Sequence, residues 1–89
     1  MTIKLIQLKC FCTLMQDPSY SVTKTADRLH IDYTALSRHI SSLEKELEIK
    51  LFDRTEHKKL KPTKEGWDFY NESVVKYQGI ENLINKGLD

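Results

Sequence analysis

The chain has 89 residues, 14 basic and 13 acidic, for a formal charge of +1, so it has room for one domain whose modest core buries about 60–65% of the unfolded surface. No apolar run approaches the ~20 residues that span a bilayer, which excludes a membrane helix and makes the cytoplasm the default location. The overall charge decides nothing about a polyanionic partner, but its distribution is uneven: Arg54 to Lys64 carries +4, and Glu65 to the C-terminus carries −3.

The first predicted helix runs from Leu5 to Gln16, where Leu8, Phe11, Cys12 and Met15 fall on one stripe at i, i+3, i+4 and i+7. Cys10 and Cys12 diverge by about 200° on such a helix, so they are expected as reduced core thiols and not as a disulfide. Pro18 disfavours helical geometry at Asp17 and ends this element. Ser21 is placed to cap a second, short helix whose inward residues are Val22, Ala26 and Leu29. A polar joint, His30 to Asp32, follows. Asp32 is then the expected N-cap of a third helix, residues 33–47, with Leu36, Ile40, Leu43 and Leu47 inward.

The stretch IKLFDRTEHKKLKPT suggests two brief strands around a polar turn at Glu56 to Lys58, with Leu51, Phe52 and Leu60 as their apolar residues. Thr63 caps a final helix that runs to about Lys86, with Gly66 as a weak early position and Gly87 as its C-terminal stop. The order is helix, helix, helix, hairpin, long helix. We divide it into a domain of residues 1–63 and a linker or dimerisation helix of residues 64–89.

With the apolar stripe of the third helix inward, about 100° per residue places Thr34, Arg38, Ser41 and Lys45 on the opposite side, flanked by Ser37 and Ser42. Hydroxyls beside an arginine suit phosphate oxygens and base edges. The short joint lets the second helix brace the third steeply, as in a helix-turn-helix, and the third helix becomes the reading helix. A polar outer face is ordinary on any small helical domain, so the periodicity alone is equally consistent with a solvated face. The basic hairpin adds a second surface for phosphate contact: Lys58 and Lys59 at its tip, Arg54 at its base. The fold class expected is mainly α, a winged helix-turn-helix of three helices and a short hairpin wing at residues 54–62, followed by the long C-terminal helix.

These residues also resemble a known pattern. Ala26, Leu29, Ser37, Ile40, Leu43, Glu44, Leu51, Phe52, Arg54, Thr63 and Gly66, in order across 41 residues, are similar to the DNA-binding domain of LysR-type transcriptional regulators, with Leu8 and Phe11 fitting the first helix. The resemblance implies sequence-specific binding of double-stranded DNA at a near-palindromic operator, through Tyr33, Thr34, Ser37, Arg38, Ser41, Arg54, Lys58 and Lys59. Three positions depart from the pattern. Thr25 replaces the first of a paired Ala-Ala, Glu48 stands where glycine is usual and loosens the expected exit from the reading helix, and Tyr33 stands where glutamine is frequent. Tyr33 has one hydroxyl and suits a phosphate or a thymine methyl in place of bidentate adenine contact.

Along the last helix, Tyr70, Val74, Tyr77, Ile84 and Leu88 recur at alternating spacings of four and three, with Glu81 as the polar step. This is the expected homodimer seam. Trp67, Phe69 and Val75 alternatively cover the chain's own first helix. In LysR-type regulators a linker helix of this kind pairs antiparallel and leads to a two-lobed domain that binds a small-molecule inducer; this chain holds no such effector domain and reads as an excised DNA-binding domain more than as a naturally short protein. An alternative function is a winged-helix dimerisation or adaptor module without strong DNA affinity, which the near-neutral charge suits. No catalytic constellation is visible, so an enzyme is not expected, and His30, His39 and His57 show no metal-ligand spacing, so neither metal nor cofactor is expected.

Overall fold

In the computed structural model, residues 3–56 and 59–73 are described. Three helices, α1 (Leu5–Gln16), α2 (Val22–Leu29) and α3 (Tyr33–Leu47), precede an antiparallel hairpin of β1 (Phe52–Glu56) and β2 (Lys59–Pro62). A fourth helix, α4, starts at residue 64 and is described through 73. This is the winged helix-turn-helix architecture expected from the sequence.

The core gathers Phe11, Leu14, Leu36, Ile40, Leu43, Leu51 and Phe52, each at most 1% exposed. α1 lies at its centre and is buried more widely than one stripe. Besides Phe11, Cys12 and Met15, the residues Gln7, Cys10 and Leu14 are buried, a second line at i, i+3 and i+7. Leu8 is only partly buried. Gln7 tolerates burial because its side-chain oxygen accepts the Lys4 N–H at 2.8 Å, satisfying a donor that the helix start leaves unpaired. Both cysteines are buried thiols. Burial pushes the Cys10 thiol up to about 11, against a smaller opposing pull from Lys9, so it stays protonated and unreactive at neutral pH.

Asp17 ends α1 in extended geometry, as the following proline requires. Its carboxylate then builds the turn that follows. Oδ2 accepts the Ser21 N–H at 2.8 Å, the Ser19 hydroxyl at 2.8 Å and the Ser19 N–H at 3.2 Å. The Ser21 amide first, and the Ser19 groups with it, hold the Asp17 carboxyl below its ordinary range despite burial. Ser21 caps α2 as expected, its oxygen accepting the Lys24 N–H at 3.2 Å.

The helix-turn-helix joint has a specific closure. His30 is left-handed at φ 56, its N–H donating to Asp27 O, while the Ile31 N–H reaches back to Ala26 O at 3.0 Å. This is a Schellman ending, usually supplied by glycine. α3 ends the same way: Glu48 has φ 57, its N–H donates to Lys45 O, and the Ile49 N–H donates to Glu44 O at 3.3 Å. The exit at Glu48 is therefore as tight as a glycine would make it, contrary to the looser exit expected, and the difference appears as left-handed backbone strain. Asp32 occupies the N-cap of α3, but its side chain makes no capping hydrogen bond. Thr25 is fully buried as the packing of α2 requires, with Oγ1 lacking a hydrogen-bond partner.

The hairpin is anchored at its foot. Phe52 pairs with Pro62, Asp53 with Lys61 and Glu56 with Lys59, so two residues, Arg54 and Thr55, oppose Leu60 alone in a β-bulge. Leu51, expected within the first strand, lies just before it. Thr63 N–H donates to Leu51 O at 3.0 Å, and Thr63 Oγ1 donates to Lys50 O at 2.5 Å while accepting the Gly66 N–H at 2.9 Å. Thr63 thus caps α4 and clasps the hairpin at once. Gly66 is more than a weak helical position: a methyl there would collide with the Leu51 carbonyl oxygen.

From this clasp α4 packs back on the domain. The Phe69 ring lies 5.4 Å and the Tyr70 ring 6.2 Å from Phe11, while Trp67 stacks edge-on between Tyr20 and Tyr70. Each pair sits within the range of favourable aromatic contacts.

Candidate nucleic-acid interface

The two sides of α3 separate cleanly. Leu36, Ile40 and Leu43 are buried and Leu47 is partly buried, whereas Thr34, Arg38, Ser41 and Lys45 are exposed. Tyr33, the first residue of the helix, is 44% exposed. Ser37 and Ser42 flank the exposed stripe at intermediate burial. Tyr33, Thr34, Ser37, Arg38 and Ser41 thus share one surface, as expected, and α2 packs behind it.

Arg54 joins this surface from the hairpin. Its Nη2 donates to Ser41 Oγ at 3.3 Å and lies 3.5 Å from Glu44 Oε1, while half of the side chain remains open to solvent. The expected wing-base cation therefore stands beside the reading helix and not apart from it. Lys58 lies outside the described residues. Lys59 is placed by its backbone in β2, opposite Glu56.

Of the expected pairing seam, Tyr70 is described and is partly buried against the chain's own core through Phe11. Val74, Tyr77, Ile84 and Leu88 lie outside the described residues. Among the described residues, no helix is long and apolar enough to cross a membrane, and no three His, Cys, Asp or Glu side chains converge as a metal site.

Two carboxylates that organise this region were given no hydrogen-bonding role by the sequence, which marked Asp17 only as the end of the first helix and Glu44 only as part of the family pattern. Asp17 builds the turn before α2, and Glu44 of α3 accepts the Leu51 and Phe52 amides through one oxygen, at 2.8 and 3.3 Å. The Ser-Tyr-Ser run after Asp17 is a local signal for the first. Glu44 acts seven and eight residues away, beyond the reach of helical periodicity.

The surface can offer a polyanion a protruding helix face with an arginine at mid-length, hydroxyls around it and a second guanidinium at one end. Comparison with known proteins places the chain in a family. The profile of the bacterial regulatory helix-turn-helix proteins of the lysR family matches residues 5–67. The HTH-type transcriptional regulator BenM of Acinetobacter baylyi is 32% identical over 83 residues, 93% of this chain and 26% of that protein. The HTH-type transcriptional regulator BsdA of Bacillus subtilis is 40% identical over 78 residues, 88% of this chain and 26% of that protein. The chain spans about a quarter of the length of both. Among solved structures, the BenM DNA-binding domain in complex with benA site 1 DNA is similar over 94% of each chain, with a TM-score of 0.80 and 32% identity. With the profile covering most of its length and both helix-turn-helix elements in place, the chain belongs to the lysR family of bacterial regulatory helix-turn-helix proteins.

Proposed function

We infer that the chain binds double-stranded DNA as the reading head of a LysR-type transcription regulator. α3 enters the major groove, and the wing at residues 54–62 follows the backbone or the minor groove. The observation that carries this reading is the exposed stripe Tyr33, Thr34, Arg38 and Ser41 on a helix whose opposite side buries Leu36, Ile40 and Leu43 in the core, with the Arg54 guanidinium beside Ser41. The similar BenM domain was solved on DNA, which supports the same use of this surface. Arg38 and Tyr33 read base edges, Thr34, Ser37 and Ser41 contact phosphate or bases, and Arg54, Lys58 and Lys59 neutralise the backbone.

A salt titration of binding to duplex DNA tests this against an adaptor role. Affinity should fall steeply with salt, and replacing both Lys58 and Lys59 with Ala should reduce the slope of log K against log salt by roughly two while weakening specific and random DNA alike. A flat titration would favour the adaptor. Residues 64–89, whose Val74, Tyr77, Ile84 and Leu88 spacing suits a coiled-coil seam, pair two such heads on a near-palindromic operator. Sedimentation equilibrium should find a dimer in the absence of DNA, and a monomer for a variant with Tyr77 and Ile84 replaced by charged residues.

A further inference from the structure

Glu44 sits at the junction of the reading helix and the hairpin, with each carboxylate oxygen committed differently. Oε2 holds the amides of Leu51 and Phe52, residues at most 1% exposed, whose donors have no bulk water to turn to. Oε1 faces Arg54 Nη2, which also touches Ser41 Oγ. The β-bulge at Arg54 and Thr55 is the local irregularity that re-aims the strand at this point. Ser41 is one turn from Arg38 and two from Thr34 along the exposed stripe, so the guanidinium is parked at the end of the face that bears both.

We propose that Glu44 is a positioning residue for Arg54, holding its guanidinium against Ser41 so that the remaining N–H donors face a DNA phosphate. The proposal rests on the DNA-binding reading above. Two effects of the carboxylate oppose each other: it orders a long side chain before binding, and it offsets part of the arginine's charge. At 3.5 Å, with the arginine side chain 50% exposed, the ion pair is weak. It therefore offsets little of the arginine's charge, while the Ser41 and Glu44 contacts together, at 3.3 and 3.5 Å, bias the guanidinium to one place and reduce the rotamer freedom lost when the phosphate arrives.

Glu44→Gln separates these effects in the full 89-residue chain. The glutamine oxygen still accepts the two backbone amides, but its NH2 group meets the arginine donor with another donor. In the free protein the NMR order parameter of Arg54 Nε–H should fall while the melting temperature holds. The dissociation constant for duplex DNA should rise about three- to tenfold, the scale set by ordering one side chain, and this rise should vanish in an Arg54→Ala background. Ser41→Ala, which leaves the amide clasp untouched, should lower the same order parameter and serves if Glu44→Gln fails to fold. Equal or tighter binding by Glu44→Gln, or an equal loss in the Arg54→Ala background, would overturn the proposal. So would an unchanged Arg54 order parameter, without reference to DNA, whereas a parent chain whose DNA affinity ignores salt would instead defeat the DNA-binding reading.

Discussion

α1 and α3 contribute to one core from helices of 12 and 15 residues, yet α1 buries six residues and α3 only three. The longer helix is the less buried. α1 is enclosed by α2, α3 and the aromatic start of α4, so nearly every change in it alters packing. α3 is fully buried only along the line of Leu36, Ile40 and Leu43, and its outer stripe of Tyr33, Thr34, Arg38, Ser41 and Lys45 is exposed, so that stripe can vary without endangering the fold. Separating stability from recognition in this way lets one small domain carry both.

The largest effect that sharpens this contrast lies in α1. Phe11 is fully buried and touches the rings of Phe52, Phe69 and Tyr70. Phe11→Ala should cost about 3–5 kcal/mol in urea unfolding, a large share of the ~5–15 kcal/mol typical of a domain. A loss under 1 kcal/mol would mean that α1 is not the structural centre.

At the C-terminal end of the same helix, the Asp17 carboxyl is depressed, so its contribution to stability is complete above the ordinary unfolded value of roughly 3.9 and is lost as pH falls through the lower folded value. Asp17→Asn should lower stability near pH 7 by roughly 1.5–3 kcal/mol, the range for hydrogen bonds to a charged group, and the gap to the parent should close in acid. Melting curves between pH 7 and pH 2 read this directly; a pH-independent gap would remove the carboxylate from the account.

The smallest effect on folding belongs to α3. Arg38 is exposed, so Arg38→Ala should leave stability within about 0.5 kcal/mol while weakening operator binding by about 1–3 kcal/mol. A variant that binds as tightly as the parent would break the division of labour between the two helices.

The same contrast explains what was legible in the sequence. A helix buried on one line announces itself by period, and the inward and outward residues of α3 were read correctly from spacing alone. α1 was read too narrowly, since Gln7, Cys10 and Leu14 form a second buried line that only its central position demands. Local chemistry also showed at Ser21 and Thr63, whose hydroxyls cap the helices that follow them. Asp32 has the right residue type in the right place and still makes no capping bond, so identity fixes the opportunity and not the geometry. Glu48 adopts a conformation its residue type disfavours because Ile49, partly buried, draws the chain back over α3. The Glu44–Arg54–Ser41 arrangement joins positions 10 and 13 residues apart, and no local rule encodes it.

The clasp at the hairpin foot has a further consequence for how such a domain changes over time. Between Leu51 and Thr63 the chain runs out along β1 and back along β2, rooted in the core by Phe52 and Leu60 and closed at its foot by the Thr63 N–H on the Leu51 carbonyl and by the Thr63 hydroxyl on Lys50. The connection between the two strands is thus a loop whose ends are tied by the hairpin. Lengthening such a loop costs only about 0.6 kcal/mol for each doubling, and with its ends tied the direction of α4 need not follow its length. Insertions, deletions or a grafted epitope at this point become a private matter of the loop, and the reach of the wing can drift between relatives while the axis of the helix beyond it stays put.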